Sequence, residues 1–393
     1  MKKHASLRCC MSFLLLSLMT GCWDNYELDQ FGYVQAVAAD QGKEGKVKLT
    51  THFYNPTSKM EKSGASTGSH KGINIQTTGD TLFEAVRDIP MYFGRKAKWD
   101  HMRVILLGEE LIKDQDIGEI LDYLSRDHEP RGTVLPLISE GPASSYLDIK
   151  PFIEETIGQQ FKKMETQGAQ YAAKTSKTPL YDFAIQLKSA SKVAVLPYIH
   201  KRGKEAVISG IVLIKHGRLA YVLDSKNTET FQMLNNRYKE GVIEFRCMGD
   251  AEDDTQTQHK ETFEVITFHT ELTPRIQHDK VTVDIDILAK GNVGELRCST
   301  LLTVKNLDAF EEKIEEEIRG KLERTLSILQ KNHLDGIGIG NQIYRKNPKL
   351  WKQWEPTWEK RFAECQFNIN VDVEVLNTGM NVGTPFGKEK GEQ

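Results

Sequence analysis

Val281-Thr282-Val283-Asp284-Ile285-Asp286-Ile287 is the stretch that decides the fold class of this 393-residue chain, because aliphatic and polar residues alternate along it without interruption. A period of two places the aliphatic side chains on one face of a β-strand and the polar side chains on the other. Near the C-terminus, Ile369, Val371, Val373 and Val375 alternate with polar residues in the same way. The sequence therefore predicts two amphipathic strands in the last third of the chain.

A long amphipathic helix is predicted between these two strands, from Asp308 to about Asn332. Asp308 and Glu311 have the spacing of a capping box, which marks the start of a helix. The apolar residues of this segment recur at helical spacing and are Phe310, Ile314, Ile318, Leu322, Leu326 and Leu329. A helix between two half-buried strands favours an α+β fold, in which the helix packs on a mostly antiparallel sheet.

Further α+β units are expected upstream of this layer. A length of 393 residues predicts two or three domains, at roughly 100–200 residues each. The polar segment at 200–205 lacks a large apolar residue and marks a boundary. We predict three α+β domains of mixed or antiparallel sheets packed with helices, at 22–200, 205–272 and 273–380, followed by a polar tail at 381–393.

Strand signals recur within the first two of these units. Leu28–Ala39 and Val47–Tyr54 are rich in β-branched and aromatic residues and predict a strand pair. Ala206–Ile214 and Leu219–Leu223, separated by a four-residue turn, predict a hairpin. The segment at 58–72 contains seven Ser or Gly residues among fifteen, which is typical of an exposed loop that buries little apolar surface.

Composition argues against nucleic acid as a partner. Lys and Arg number 52 and Asp and Glu number 55, which gives a net charge of −3 and a pI near 6.4. Proteins that bind nucleic acid usually carry a basic excess or a basic stripe, and neither is visible. The one continuous apolar run, Met11–Met19, is too short to cross a bilayer, because a spanning helix needs about 20 residues.

The N-terminus predicts export followed by lipid anchoring. Basic residues precede the apolar run and Gly21-Cys22 follows it, so residues 1–21 have the pattern of a secretory signal peptide. A cysteine directly after small residues at this point resembles the lipobox of bacterial lipoproteins, in which the thiol receives a diacylglyceryl group. We predict Cys22 as the lipid-attachment residue, because two acyl chains anchor a protein stably at a membrane. An ordinary signal peptide cut near Gly21 is the alternative.

Three cysteines other than Cys22, namely Cys247, Cys298 and Cys365, remain in the mature chain and allow at most one disulfide. They form no CxxC pair and have no spacing typical of a metal site. Buried thiols that pack as small apolar groups are the favoured interpretation, and one disulfide is the alternative.

Motifs for catalysis, metals and nucleotides are weak in this sequence. Gly336-x-Gly338-x-Gly340 follows a helix and lacks the Lys-Ser/Thr of a P-loop, so it indicates a helix end more than a phosphate site. The acidic run at 250–254 lacks EF-hand spacing, and His259, His269 and His278 share no helical face. No nucleophile-and-base signature occurs. We therefore expect a protein that is not an enzyme and that binds no metal or cofactor.

Three tryptophans, Trp351, Trp354 and Trp358, lie close together before the last predicted strand. Indole combines a large apolar surface with one hydrogen-bond donor, so it suits either a core or an interface. Packing against the terminal sheet is the favoured interpretation, and an exposed surface for a partner is the alternative.

Three parts of the sequence resemble the Ger(x)C family. Cys22-Trp23-Asp24-Asn25-Tyr26-Glu27-Leu28 is similar to the CWDxxEL opening of that family, and Arg126-Asp127-His128-Glu129-Pro130-Arg131 is similar to its RDxExR segment. Its C-terminal signature is represented by Asp335-Gly336-Ile337-Gly338, Asn347-Pro348, Trp351, Trp358, Phe362 and the strand that ends before Gly379. The resemblance covers nearly the whole mature chain.

This resemblance implies the lipoprotein C subunit of a spore germinant receptor. Such subunits are non-enzymatic, have three α+β domains, and lie on the outer face of the spore inner membrane, held there by the lipid anchor. They act with two integral membrane subunits, A and B, to sense nutrients such as amino acids or sugars and to trigger germination. Only Cys22 receives a chemical role. The alternative function is a substrate-binding lipoprotein of a transporter.

Overall fold

The computed structural model describes residues 27–56, 72–247 and 259–379, which fold into two β-sheets with helices packed against them. The predicted signal peptide and Cys22, almost all of the Ser/Gly-rich segment, the acidic run and the polar tail lie outside these residues. Within the described part of the chain, every helix is too short or too polar to cross a bilayer. The mixture of helices and sheets confirms the predicted α+β class.

The larger sheet contains nine strands: β1 (Phe31–Gln41), β2 (Val47–Tyr54), β3 (Gly72–Gly79), β4 (Lys96–Lys98), β5 (Val104–Gly108), β6 (Leu135–Ser139), β7 (Val193–Arg202), β8 (Glu205–Lys215) and β9 (Arg218–Leu223). They lie in the order β3-β2-β1-β5-β6-β7-β8-β9, and β4 pairs with the start of β1. The four central strands β1, β5, β6 and β7 run parallel, whereas β3-β2-β1 and β7-β8-β9 are antiparallel. The predicted pairing of β1 with β2 and the predicted hairpin of β8 with β9 are both confirmed.

Eight helices of the described ranges accompany this sheet: α1 (Leu82–Arg87), α2 (Ile89–Phe93), α3 (Glu109–Asp114), α4 (Ile117–Arg126), α5 (Ser144–Leu147), α6 (Ile157–Gln167), α7 (Leu180–Leu187) and α8 (Ser225–Leu234). Residues such as Leu121 and Phe183 form one core on the sheet, and Tyr146 and Phe161 belong to a second core. The strand β5 is buried along its whole length, as expected for a parallel strand that is covered on both faces.

The smaller sheet contains four strands: β10 (Gly241–Arg246), β11 (Lys260–Gln277), β12 (Lys280–Val293) and β13 (Gln366–Asn377), in that order. Neighbours are antiparallel except for β12 and β13, which run parallel. Val281, Val283, Ile285 and Ile287 are all at most 5 % exposed. The alternation along β12 therefore predicted correctly which face of this strand is buried.

A long helix, α9 (Val304–Lys331), packs on the smaller sheet and begins four residues before the predicted start. Thr303 is its N-cap, since its Oγ1 accepts a hydrogen bond from the third backbone N–H of the helix at 3.2 Å. The predicted capping box of Asp308 and Glu311 is wrong, because both residues lie inside the helix and Glu311 Oε1 instead accepts from Val375 N at 2.7 Å. The predicted apolar stripe is confirmed, because all six of its residues are at most 2 % exposed.

Three short helices connect α9 to β13: α10 (Ile339–Lys346), α11 (Pro348–Trp354) and α12 (Trp358–Ala363). Trp351, Trp354 and Trp358 are each buried in the core that also contains the stripe of α9. The rings of Trp351 and Trp358 meet edge to face, with centroids 5.3 Å apart. The favoured interpretation of these tryptophans as core residues is confirmed.

Cys247 and Cys298 form a disulfide, with Cα atoms 5.8 Å apart and a sequence separation of 51. Interpreting these two residues as buried thiols is therefore wrong, and the alternative of one disulfide is correct. Cys298 lies in the connection from β12 to α9, so the bond fastens this connection to the end of β10. Cys365 is a free and buried thiol, as expected.

The predicted boundaries fall within continuous structure. The segment at 200–205 contains the turn between β7 and β8, which pair on both sides of it in the larger sheet. The boundary between 272 and 273 falls inside β11. The division into three domains stays a prediction, and the described residues pack around two sheets.

Candidate functional site

Cys22 is the one site residue predicted from the sequence, and it lies outside the described residues, so its role stays a prediction. The described chain begins at Glu27, shortly before β1. The structure describes every residue of two segments that resemble the family: the Asp335-Gly336-Ile337-Gly338 segment before α10 and the RDHEPR segment at 126–131 at the end of α4.

Asp335 lies in the interior of the protein and is only 3 % exposed. Its carboxylate accepts hydrogen bonds from Ile339 N at 2.9 Å, from Gly340 N at 2.6 Å and from Trp358 Nε1 at 2.9 Å. Burial raises the pKa of Asp335, and these hydrogen bonds oppose that shift because they stabilise the charged form. Asp335 thus caps the first turn of α10 and joins that helix to α12.

Two glycines make this close packing feasible. Gly338 has a φ of 74°, in the left-handed region that favours glycine. A Cβ on Gly340 would lie 2.7 Å from Trp351 Cη2 and 2.7 Å from Trp358 Nε1, so only glycine fits there. Because the carboxylate of Asp335 occupies the N–H groups that a phosphate loop would offer, this segment serves as the turn into α10.

The same region joins the larger sheet to the C-terminal helices. Asn341 Oδ1 accepts a hydrogen bond from Ser191 N at 2.9 Å. Lys215 Nζ lies 2.8 Å from a carboxylate oxygen of Glu359 and donates to His333 O at 3.0 Å. Partly exposed ion pairs contribute at most about 1 kcal/mol each, so these contacts set the orientation of the two parts more than their stability.

A groove of about 490 Å³ lies beside this junction, between β7, α7, α8 and α10. The side-chain oxygens of Gln186 and Asn341 accept from backbone N–H groups at 2.9 Å, which leaves both NH₂ groups to serve other acceptors. Arg345 has no ion pair within the described part of the chain. Among described residues, the lining holds no acidic side chain, histidine or cysteine. The groove can offer hydrogen bonds to a small polar molecule, whereas its lining supplies no base or nucleophilic thiol.

Glu261 forms a second enclosed carboxylate site, next to the disulfide, and is 0 % exposed. Its Oε1 accepts from the backbone N–H groups of Arg297, Cys298 and Ser299 at 2.8–3.0 Å, and its Oε2 accepts from Ser299 Oγ at 2.6 Å. Potential ligand atoms of Cys247, Glu261 and Cys298 lie within 4.8 Å of one another. Both sulfurs are in the disulfide and both carboxylate oxygens are hydrogen-bonded, so this group holds the β12–α9 connection in place.

The acidic residues of the RDHEPR segment have partners inside the protein. Asp127 Oδ1 accepts from Glu129 N at 2.9 Å, and Glu129 Oε1 lies 3.4 Å from Lys98 Nζ. Arg131, in contrast, makes no ion pair or side-chain hydrogen bond with any described residue. The segment therefore closes the turn after α4 and leaves one cation available to a ligand.

Sequence reasoning quoted Asp335 as part of a motif and missed its role as a cap and its bond to Trp358. The N-cap preference of Asp could not reveal this role, because the N-cap of α10 is Gly338 and Asp335 lies four residues before the helix begins. The three histidines considered for a metal site lie along or directly beside β11, outside the one ligand grouping found within the described ranges. Arg131 likewise had no local signal, because its lack of a partner among the described residues depends on the whole fold.

Comparisons with known proteins match the chain over nearly its whole length. Residues 24–201 match the family model of the spore germination protein N-terminal domain, and residues 209–379 match the model described as spore germination B3/GerAC like, C-terminal. Spore germination protein B3 of Bacillus subtilis (strain 168) is 26% identical, over 96% of this chain and 99% of its own. Spore germination protein KC of the same organism is 22% identical, over 95% of this chain and 96% of its own.

The fold is also similar to that in a crystal structure of the GerBC protein, with a TM-score of 0.55 and 20% sequence identity. The alignment covers 87% of this chain and 97% of that chain. The two family models flank the turn between β7 and β8 and together span most of the sequence, including the RDHEPR and Asp335 segments. The chain therefore belongs to the Ger(x)C family of spore germination proteins.

Proposed function

We propose that this chain is the lipid-anchored subunit of a nutrient germinant receptor, held at the outer face of the spore inner membrane, where it acts with two integral membrane subunits to trigger germination. The observation that carries the proposal is the family match over 24–201 and 209–379. Relatives that this chain covers over nearly their whole length, such as spore germination protein GerQC of Bacillus cereus, are named for the same process. These matches do not favour the transporter alternative.

The anchor in this proposal is a diacylglyceryl group on Cys22, after removal of residues 1–21. Four residues separate Cys22 from Glu27, so a fully extended chain holds Glu27 within about 18 Å of the anchor. Two acyl chains give stable membrane binding, and a shared membrane raises the effective concentration of all subunits. Weak contacts between the subunits are then sufficient for assembly.

A non-enzymatic role is part of the same proposal. Asp335 and Glu261 are deeply buried and are hydrogen-bonded to backbone or side-chain donors. Asp40 likewise accepts from Ala143 N at 2.5 Å and from Ser144 N at 2.9 Å. These three carboxylates accept hydrogen bonds that cap helices or join segments of the fold, so we assign none of them to acid–base chemistry.

Spores that lack this protein provide the test. In a strain without redundant receptors, we expect loss or slowing of nutrient-triggered dipicolinic acid release and a change in the amounts of the two membrane subunits. An unchanged response to every nutrient, combined with reduced nutrient uptake, would reject the receptor function and support the transporter alternative.

A further inference from the structure

Four cations lie near one edge of the larger sheet and form no ion pair with any described residue. Arg103, Arg131, Lys162 and Lys177 make no ion pair and no side-chain hydrogen bond with any residue in the described ranges. Arg103 directly precedes β5, and its carbonyl oxygen accepts from Leu135 N at 3.0 Å. Arg131 lies four residues before Leu135. These contacts place both arginines at the edge where the parallel strands β5 and β6 begin.

The helix α6 brings Lys162 to the same edge. Gly158 of α6 packs so closely on β1 that a Cβ there would lie 2.6 Å from Gln35 O. Arg103 N donates to that same Gln35 oxygen at 2.9 Å. Arg103 and Lys162 line one groove of about 420 Å³, together with polar residues of α6 that include Gln159 and Thr166.

Acidic residues near this groove do not neutralise these cations. Glu154 lines the groove, but one of its carboxylate oxygens lies 2.6 Å from Lys163 Nζ. Glu165 is 0 % exposed and forms no ion pair among the described residues. Burial raises its pKa well above the ordinary range, and the hydrogen bond from Thr178 N at 3.3 Å and the charge of Lys177 oppose that shift. Arg103 Nε is buried and has no hydrogen-bond partner among the described residues. The groove thus contains an enclosed donor and uncompensated positive charge.

Glu129 and Asp100, near this edge, form no ion pair with these four cations. Glu129 pairs with Lys98 at 3.4 Å. Asp100 Oδ1 lies 3.8 Å from His101 Nε2, which is charged only when protonated, and this buried oxygen has no hydrogen-bond partner among the described residues. Burial lowers the pKa of Lys162, and the charges of Arg103, Lys177 and Arg131 lower it further. Like charges held together in a partly buried groove are unfavourable unless an anion joins them. The arrangement therefore has the electrostatics of a site for an anion.

A phosphate group fits the donor set of this groove. A guanidinium offers planar paired N–H donors to phosphate oxygens, and an ammonium adds a point charge. Phe31, at the start of β1, lies about 13 Å along the strand from Gln35, at about 3.3 Å per residue. The edge that carries the groove is therefore also the edge where the chain enters the fold from Cys22.

We propose that the groove lined by Arg103 and Lys162, with Arg131 and Lys177 beside it, binds the phosphate of an anionic lipid headgroup in the membrane to which the chain is tethered. The choice of a lipid as the source of the phosphate rests on the proposed function, because the anchor at Cys22 brings this edge to the bilayer. Each contact between a cation of the protein and a lipid phosphate adds to the affinity for the membrane, independently of the lipid anchor.

We test this proposal by the binding of the mature chain, from residue 22 onward, to vesicles. The chain carries Cys22→Ala and therefore has no lipid. This chain retains every described residue. Vesicles of phosphatidylcholine alone are compared with vesicles of two parts phosphatidylcholine to one part phosphatidylglycerol. We expect binding to the anionic vesicles only, and a loss of about fivefold in affinity for each of Arg131→Gln and Lys177→Gln, since a cation near an anionic surface contributes about 1 kcal/mol.

Arg131 and Lys177 are both exposed, so these two substitutions should leave the fold intact, whereas Arg103→Gln and Lys162→Gln probe the enclosed part of the groove. Lys305→Gln and Lys352→Gln are the charge-matched controls, because both lysines are exposed, lack an ion pair among described residues and lie on the C-terminal helices. Equal losses for the controls and the groove variants, or equal binding to both kinds of vesicle, would overturn the proposal.

Inorganic phosphate provides the second arm of the experiment. Inorganic phosphate should release the unsubstituted groove from the anionic vesicles. This competition should be lost in Arg103→Gln and Lys162→Gln, and that result supports the assignment. Saturable binding of inorganic phosphate without any vesicle binding would overturn the lipid as its source. Because the protein used here has no anchor, failure of this test leaves the germination phenotype of the deletion strain as an independent measure of the receptor function.

Discussion

The buried carboxylates of the C-terminal layer accept hydrogen bonds inside the protein, whereas four cations at the N-terminal edge of the larger sheet form no ion pair among the described residues. Asp335 accepts three hydrogen bonds at 2.6–2.9 Å, and Glu261 accepts four at 2.6–3.0 Å. Arg131 and Lys177, in contrast, have no such partner in the described ranges.

This difference separates charges that build the fold from charges available to another molecule. A buried carboxylate stabilises a fold only when its oxygens receive hydrogen bonds, as those of Asp335 and Glu261 do. A cation without a partner contributes little to stability, so its removal should have a small effect on unfolding and a larger effect on binding. Four stability tests examine this contrast, ordered from the largest to the smallest expected change.

Ile318→Asp should have the largest effect on stability. Ile318 is 0 % exposed in the stripe of α9, and a charge there would have no donors of the kind that Asp335 has. We expect a loss of several kcal/mol in the free energy of unfolding. Glu312→Asp, at an exposed position of the same helix, is the control. Denaturant unfolding of both variants measures the difference, and an unchanged midpoint for Ile318→Asp would mean that the stripe does not carry the core.

Removal of the disulfide should have the next largest effect. The bond closes a loop with a sequence separation of 51 residues, and loss of a native disulfide typically costs about 2–5 kcal/mol. We expect a variant with both Cys247→Ser and Cys298→Ser to unfold at lower denaturant concentration than the wild type. Cys365→Ser changes a buried thiol whose pKa burial raises to about 12, and serves as the control without a disulfide. Equal unfolding of the reduced and oxidised wild-type protein would contradict this prediction.

Asp335→Asn should lower the free energy of unfolding by about 1–3 kcal/mol. The substitution replaces one carboxylate oxygen by an NH₂ group, which would face an N–H group that donates to the carboxylate in the wild type. Burial raises the pKa of Asp335 in the folded state, so the folded protein binds this proton more tightly than the unfolded chain. The stability that this group contributes is therefore present at low pH and decreases as pH rises through the folded pKa.

The pH dependence gives this prediction a second readout. The stability of the wild type minus that of Asp335→Asn should fall as pH rises from the ordinary Asp range, near about 4, through the folded pKa. Other titrating groups are common to both proteins and cancel in the difference. A difference that grows with pH would show that the hydrogen bonds outweigh burial and that the pKa of Asp335 is lowered.

Lys177→Gln and Arg131→Gln should change stability by no more than about 0.5 kcal/mol, because neither cation forms an ion pair or a side-chain hydrogen bond with a described residue. Lys215→Gln is the matched comparison, since it removes the pair with Glu359 and the bond to His333 O. We expect this third variant to be the least stable of the three in thermal unfolding. A loss of more than about 1 kcal/mol for Lys177→Gln would mean that this residue supports the fold and would weaken the contrast between the two regions.

The C-terminal layer could be predicted well from the sequence because its signals are local. The alternation along β12 and the helical spacing from Phe310 to Leu329 indicate directly which side chains are buried. The start of α9 was missed because Asp308 and Glu311 happen to have capping-box spacing, whereas the true cap is Thr303. Chance matches of this kind arise because a two-residue pattern carries little information about where a helix begins.

Features that join distant residues could not be predicted in the same way. The disulfide brings together residues 51 positions apart, and Trp358 donates to an Asp335 that lies 23 positions earlier. The parallel pairing of β1 with β5 and the meeting of Arg103 with Lys162 in one groove also depend on the complete topology. Local propensity and periodicity do not report such pairings, so the structure was needed to separate paired from unpaired charges.

Replacement of Cys22 tests the proposal that the protein works from the membrane surface. Deletion spores complemented with either the wild-type gene or Cys22→Ala should be compared for the rate of nutrient-triggered dipicolinic acid release and for retention of the protein in the membrane fraction. We expect Cys22→Ala to produce a folded protein that is lost from the membrane, and a germination response close to that of the deletion strain. Membrane retention in the absence of the partner subunits, together with a wild-type rate of release, would contradict it.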